Sequence, residues 1–123
     1  MLHGSDESLA TKIYISIAKE LSGVSVPTFY LHGEIKFLHN NRAIKTTKTC
    51  EKADIIIINK KLDLPAGCEE KAIFSTHYRT YLKNENIVGS FFWQKGRPNI
   101  IFRRAYLEEN KIRLSQSFQK YID

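Results

Sequence analysis

An α/β domain built on a mainly parallel sheet is the fold this sequence predicts, and three observations point to it. Ala53-Asp54-Ile55-Ile56-Ile57-Ile58 carries four isoleucines in a row. Such a run implies burial on both faces, as in the centre of a parallel sheet. Short apolar runs alternate with short helical stretches along the chain, the pattern of strands joined by crossover helices. Finally, Ile87-Val88-Gly89-Ser90-Phe91-Phe92-Trp93 and Asn99-Ile100-Ile101-Phe102 flank the polar stretch Gln94-Lys95-Gly96-Arg97-Pro98. That reads as an antiparallel hairpin with a tight basic turn. With 123 residues, the chain has the size of one core. A single three-layer domain over residues 1–123 is expected, with a C-terminal β-hairpin and terminal helices. Residues 1–5 are expected to be disordered or left by cloning.

The elements follow in order. Ser5 or Asp6 can cap a first helix to about Leu21, with Leu9, Ile13, Ile17 and Leu21 as its core stripe. Gly23 ends it. Residues 24–31 read as a first strand, in which Pro27 suggests an edge position or a bulge. Residues 32–41 suggest a second helix and 43–47 a second strand. Residues 53–58 are the central strand and 72–75 another buried one. Ser75 or Thr76 can cap a short helix through Lys83. After the hairpin, residues 105–107 and 112–122 predict two short amphipathic helices.

The totals exclude some classes. At 42% hydrophobic residues the chain can bury a core, which excludes disorder. No apolar run approaches the ~20 residues of a membrane-spanning helix. The start, Met1-Leu2-His3-Gly4-Ser5-Asp6-Glu7, lacks the basic-then-apolar pattern of a secretory leader. A leader removed beforehand leaves no such trace. The formal charge of +6 suits an acidic partner and equally an ordinary basic protein.

Cys50 and Cys68 each lie a few residues before a predicted parallel strand. Neighbouring parallel strands start at one edge of a sheet, so the two can come within disulfide reach. The disulfide fits an oxidising compartment. The alternative is two unpaired thiols in the cytoplasm. A metal site is not expected, because the spacing lacks CxxC and no His lies in phase.

Ser75-Thr76-His77-Tyr78-Arg79 follows a buried strand, where open α/β sheets bind ligands. Thr76, His77, Tyr78 and Arg79 are therefore the ligand-site candidates, with His77 able to titrate near neutrality and Arg79 able to grip an anion. Against this, Thr76 can simply cap a helix while the other three face solvent. Phe91, Trp93 and Lys95 share one strand face, and Phe92 and Gln94 the other. Packing in the core is the first reading of these rings, a protein contact the second, and nucleic-acid stacking a distant third. His3, His32 and His39 have no partners at ligand spacing. Asp54 begins its strand and residues 29–31 carry no acids, which excludes a phospho-receiver. Phosphate-binding Gly loops, GxSxG and HExxH are absent.

From residue 53 onward the chain resembles the YfiR family of bacterial periplasmic regulators. Residues 53–59 resemble the family's apolar strand, Ala72-Ile73-Phe74-Ser75-Thr76-His77 its next strand end, and Val88-Gly89-Ser90-Phe91-Phe92 its Gly-led strand. Ile112-Arg113-Leu114-Ser115 is similar to its closing element. The N-terminal half follows the family only in the order of elements. Departures are Arg103 and Arg104 where an Asn is common, His77 in place of an Asp, and a short loop before the hairpin. The resemblance implies a non-enzymatic, exported regulator that binds a membrane signalling protein, such as the sensor domain of a diguanylate cyclase. It implies no cofactor. A homodimer is left open, and a cytoplasmic location is the alternative. Trp93, Lys95, Arg97, Arg103 and Arg104 are the candidate partner surface, because Arg beside aromatics anchors interfaces. Reversing charge at Arg97 and Arg103 is expected to leave folding nearly intact. The competing functions are a small-anion or small-molecule binding module and a basic nucleic-acid-binding domain, although nucleic acid is not the expected partner.

Overall fold

A computed structural model describes residues 4–39 and 41–123. Helix α1 (Gly4–Ser22) precedes a sheet of six strands: β1 (Thr28–His32), β2 (Lys45–Thr47), β3 (Ile55–Ile58), β4 (Ile73–Ser75), β5 (Gly89–Gln94) and β6 (Arg97–Phe102). Their order is β2-β1-β3-β4-β5-β6. The first five run parallel, and β6 folds back antiparallel on β5. Short helices α2 (Lys36–His39), α3 (Tyr78–Lys83) and α4 (Arg104–Glu109) complete the fold, with a 3₁₀ turn at Cys50–Lys52 and a 3₁₀ helix at Gln116–Tyr121. The expected α/β class, parallel sheet and terminal hairpin are all present.

The isoleucines of β3 show why two cores form. All four are buried, and alternation sends successive side chains to opposite faces. Ile55 and Ile57 join Tyr14 and Ile17 of α1, with Phe74, Phe91, Phe102 and Leu107. Ile56 and Ile58 join Ile73, Tyr81 of α3, Ile87 and the two cysteines. Three layers result, one of them thin, because α3 and the disulfide loop alone line the second face.

Cys50 and Cys68 form the expected disulfide, with Cα atoms 5.1 Å apart. They stand just before β3 and β4, which are sheet neighbours.

Several expectations are corrected. The core stripe of α1 is Ala10, Tyr14, Ile17, Ala18 and Leu21, while Leu9 is 43% exposed. The stripe is rotated by one residue because Tyr14, the bulkiest side chain on the helix, takes the centre of the core. Ser5 and Asp6 lie inside α1, not at its cap, and the expectation for residues 1–3 falls outside the described residues. Strand β1 starts at Thr28, and Val24 and Val26 are exposed. Pro27 marks neither an edge nor a bulge, since β1 pairs on both sides. It stands just ahead of a start set by two bonds with the loop before β3. Thr28 N–H donates to Asp54 Oδ2 and Asp54 N–H donates to Thr28 O, both at 2.8 Å. The N-cap of α3 is His77, not Ser75 or Thr76. Ser75 Oγ instead accepts the His77 N–H at 2.9 Å and lies 3.0 Å from Asn59 O. Residues 112–122 form only the 3₁₀ helix, because Ser115 N–H is held by Glu20 Oε1 at 2.6 Å and Ile122 returns to pair with Phe102.

The hairpin turn is Lys95-Gly96, with φ of 52° and 75°. Two left-handed residues make the turn type whose twist matches the strands. Gln94 and Arg97 close it. In such a hairpin bonded pairs alternate, so the outward backbone groups of β6 belong to Pro98, Ile100 and Phe102. Pro98 has no N–H to offer, and Asp123 N–H already bonds Phe102 O at 3.0 Å. This edge is blunted against strand pairing.

Candidate functional site

The strand order reverses between β1 and β3, since the chain passes from β1 to β2 on one side and then to β3 on the other. Crevices at the carboxyl ends of strands beside such a reversal are where open α/β sheets hold ligands. A cleft of about 840 Å³ lies there. Asn59 follows β3, and Thr76 and His77 follow β4. Lys12 from α1, Phe37 from α2 and Arg42 also line it, together with the acids Glu7 and Glu34. His77 Nδ1 is 3.0 Å from Thr76 Oγ1, which leaves Nε2 free of that bond. Desolvation, and then the charge of Lys60, hold the His77 pKa below its ordinary value. The imidazole is thus neutral at pH 7, able to donate or accept a hydrogen bond.

The structure separates the four ligand-site candidates. Thr76 and His77 line the cleft, but Tyr78 and Arg79 belong to α3 and turn away from it. Tyr78 packs its ring on Phe92 with centroids 4.6 Å apart, and Arg79 is exposed.

The five candidate partner residues also separate. Lys95 and Arg97 stand exposed at the hairpin tip. Trp93 is half-buried and meets Phe91 edge-on at 5.9 Å, as in the core reading. Arg103 points inward. Its Nε donates to Ile87 O at 3.0 Å, and its Nη2 donates to Asn84 O at 3.1 Å and to Tyr81 O. The guanidinium also lies 4.2 Å from the Tyr81 ring centroid. Three carbonyls, one ring and a planar fork make a cross-brace between α3, its following loop and the end of β6. The expectation that reversing charge at Arg103 spares the fold is therefore corrected. Arg104 is exposed, with its N–H on Asp123 Oδ1 at 3.0 Å and its Nε on Asp123 O at 3.2 Å.

Charge is segregated along the chain. Residues 71–107 hold seven Lys and Arg against one acid, Glu85, a net +6 equal to that of the whole chain. The remaining residues balance, with twelve cations and twelve acids. The charged stretch builds β4, α3, β5, β6 and the start of α4; Glu108, Glu109 and Asp123 return beside Arg103 and Arg104, which leaves α3 and the hairpin as the acid-free part. Sequence reading used the total charge and missed its distribution, although a running sum along the chain exposes it. It also missed Asn59 and Leu82, whose places depend on which strand ends meet and which face of α3 is covered.

Among the described residues, no group of three His, Cys, Asp or Glu side chains could hold a metal ion. His32 Nε2 pairs with Asp63 Oδ1 at 2.9 Å, His39 Nε2 lies 3.2 Å from Gly33 O, and His3 falls outside the described residues. Among the described residues, no helix is long and apolar enough to cross a membrane. Compared with family models, curated proteins and solved structures, the chain matches none of them.

Proposed function

We propose that the protein is a non-enzymatic, YfiR-like regulator that binds a membrane signalling protein from the periplasmic side, with a diguanylate cyclase sensor domain as the expected partner. The observation that carries this reading is the segregated charge. On α3 and the hairpin, Arg79, Lys83, Lys95 and Arg97 stand exposed, and neither element contains an acid. Such a surface steers and orients an acidic partner. The Cys50–Cys68 disulfide supports an oxidising compartment. The test is the cellular cyclic di-GMP level in a host that makes a diguanylate cyclase with a periplasmic sensor domain. Loss of the protein is expected to raise it, and re-expression in the periplasm to lower it. An unchanged level would set the regulatory reading aside, and turnover abolished by a single substitution at His77 would overturn the non-enzymatic one.

A second reading, a small-molecule binding module, is favoured by the cleft at the strand reversal. Its wall at His77 is also the N-cap of α3. A small anion seated beside Lys12, Arg42 and His77 would thus touch the helix that faces the charged side. A ligand that prefers one position of α3 would bias the surface beyond it, as population shift requires. Thermal stabilisation by small carboxylates or phosphates, lost on His77→Ala, is the expected outcome.

A further inference from the structure

We propose that the outer face of α3 and the hairpin form a docking surface for an acidic, amphipathic protein segment. The proposal rests on the reading that this protein acts by binding a partner, and it names where and with what chemistry.

Tyr78 and Leu82 are 37% and 56% exposed, and both lie on α3. They are four residues apart, so they share one helical face. Tyr81, between them, faces inward and is buried. Tyr78 leans on the half-buried Phe92 of β5. Phe92 and Gln94 point to the same side of the strand, and Gln94 pairs with Arg97. An apolar strip therefore runs from Leu82 over Tyr78 and Phe92 and ends at the cation Arg97. Arg79 and Lys83, both exposed, lie beside the strip on α3. Neither α3 nor the hairpin contains an acid.

This combination selects the occupant. Exposed apolar side chains with cations around them call for apolar anchors rimmed by carboxylates, which Arg holds in paired hydrogen bonds. Stacking of nucleic-acid bases needs free ring faces, but Tyr78 and Phe92 are packed on each other. Insertion into a bilayer needs apolar residues at the most protruding point, and the tip is Lys95-Gly96-Arg97. Strand addition is disfavoured by Pro98 and by the bond on Phe102 O. The partner thus binds through side chains, most simply as a helix with Leu or Phe along one face and Glu along the next.

The test uses the intact disulfide-bonded protein and a synthetic helical peptide with a Leu/Phe stripe flanked by Glu. Amide shifts on titration are expected to cluster in residues 78–83 and 92–97. Leu82→Asp and Arg97→Glu are each expected to weaken binding about tenfold or more, as truncation of an interface anchor does. Lys48→Glu, on the opposite side, should leave it unchanged, and circular dichroism checks that the variants are folded. The proposal is overturned if oligoglutamate without the apolar stripe binds as tightly, or if the shifts map elsewhere. It is likewise overturned if phosphatidylglycerol vesicles or oligothymidylate occupy this face while the peptide does not. Measuring cyclic di-GMP with the same variants separates the two ideas. A Leu82→Asp protein that loses the peptide but still represses the cyclase removes the regulatory role and leaves the docking surface standing.

Discussion

At the residue scale Arg103 decides more than any other charged group. Read in sequence it is one half of a basic pair, fit for a surface. In the fold its guanidinium bonds three carbonyls while covering the Tyr81 ring; those of Tyr81 and Asn84 also accept backbone N–H groups, and that of Ile87 takes the Arg103 Nε. Arg103→Ala is expected to cost about 2–3 kcal/mol, since three charged hydrogen bonds are lost and the Ile87 carbonyl is left unpaired. Arg103→Lys should recover little, because an ammonium cannot span the same fork. Urea unfolding measures both. Tyr81 next to it makes a pH prediction. Burial pushes its pKa up to about 12, with Arg103 opposing and Asp123 adding to the rise. The neutral phenol is thus favoured in the fold. The resulting stability is present below the ordinary value of about 10. It is lost as pH climbs from there through 12. Tyr14 and Tyr106 are raised by burial as well. Ultraviolet titration should show these three tyrosines ionising above the ordinary value, and ionisation of all three at that value would contradict the packing.

At the scale of elements, β3 and β4 depend on a covalent bond and β5 on a missing side chain. The disulfide joins the lead-in segments of β3 and β4 across a separation of 18 residues. In the chain-entropy model its loss costs about 3 kcal/mol. Reduction, or the double change Cys50→Ser and Cys68→Ser, should lower the urea midpoint accordingly. β5 begins at Gly89, where a Cβ would lie 2.3 Å from Ile101 O and 2.6 Å from the Phe74 ring. Both neighbours are held in the sheet, so Gly89→Ala should cost about 1–3 kcal/mol as an overpacking change, or more if the strands separate. This gives the glycine at the head of that strand a physical reason: β6 and the Phe74 ring approach where a side chain would stand. Helix starts and ends were harder to place. Ser75 and Thr76 look like caps in any local reading, yet Ser75 spends its hydroxyl on the β3–β4 junction and leaves the N-cap to His77.

At the scale of the whole molecule, the C-terminus closes the sheet. Ile122 bridges to Phe102, Asp123 N–H takes the Phe102 carbonyl, and the Asp123 carboxylate receives the Arg104 N–H and the Tyr81 hydroxyl. Deleting residues 121–123 should therefore cost about 2 kcal/mol from several modest bonds lost together. It should also unmask the β6 edge and raise self-association. Light scattering with thermal melts checks both effects, and an unchanged melt would show that the edge needs no cover. The same scale holds the charge. Exposed cations on the acid-free α3 and hairpin mean that added salt should weaken an acidic partner more than it weakens the fold.

The sequence alone determined the α/β class, the central β3 and the hairpin, and it placed the two cysteines where they can pair. Each rests on a local pattern: an apolar run buried on both faces, a polar turn between two apolar strands, two cysteines at matched distances before two strands. Only the tertiary structure decided the phase of α1, the start of β1, the division of Thr76 and His77 from Tyr78 and Arg79, and the inward turn of Arg103. These depend on which groups from distant parts of the chain lack a partner when the elements meet. Asp54 claims the Thr28 N–H from 26 residues away, and the Ile87 carbonyl draws in Arg103 from 16. A pattern of neighbours along the chain carries no record of such vacancies, because they exist only once the sheet has formed.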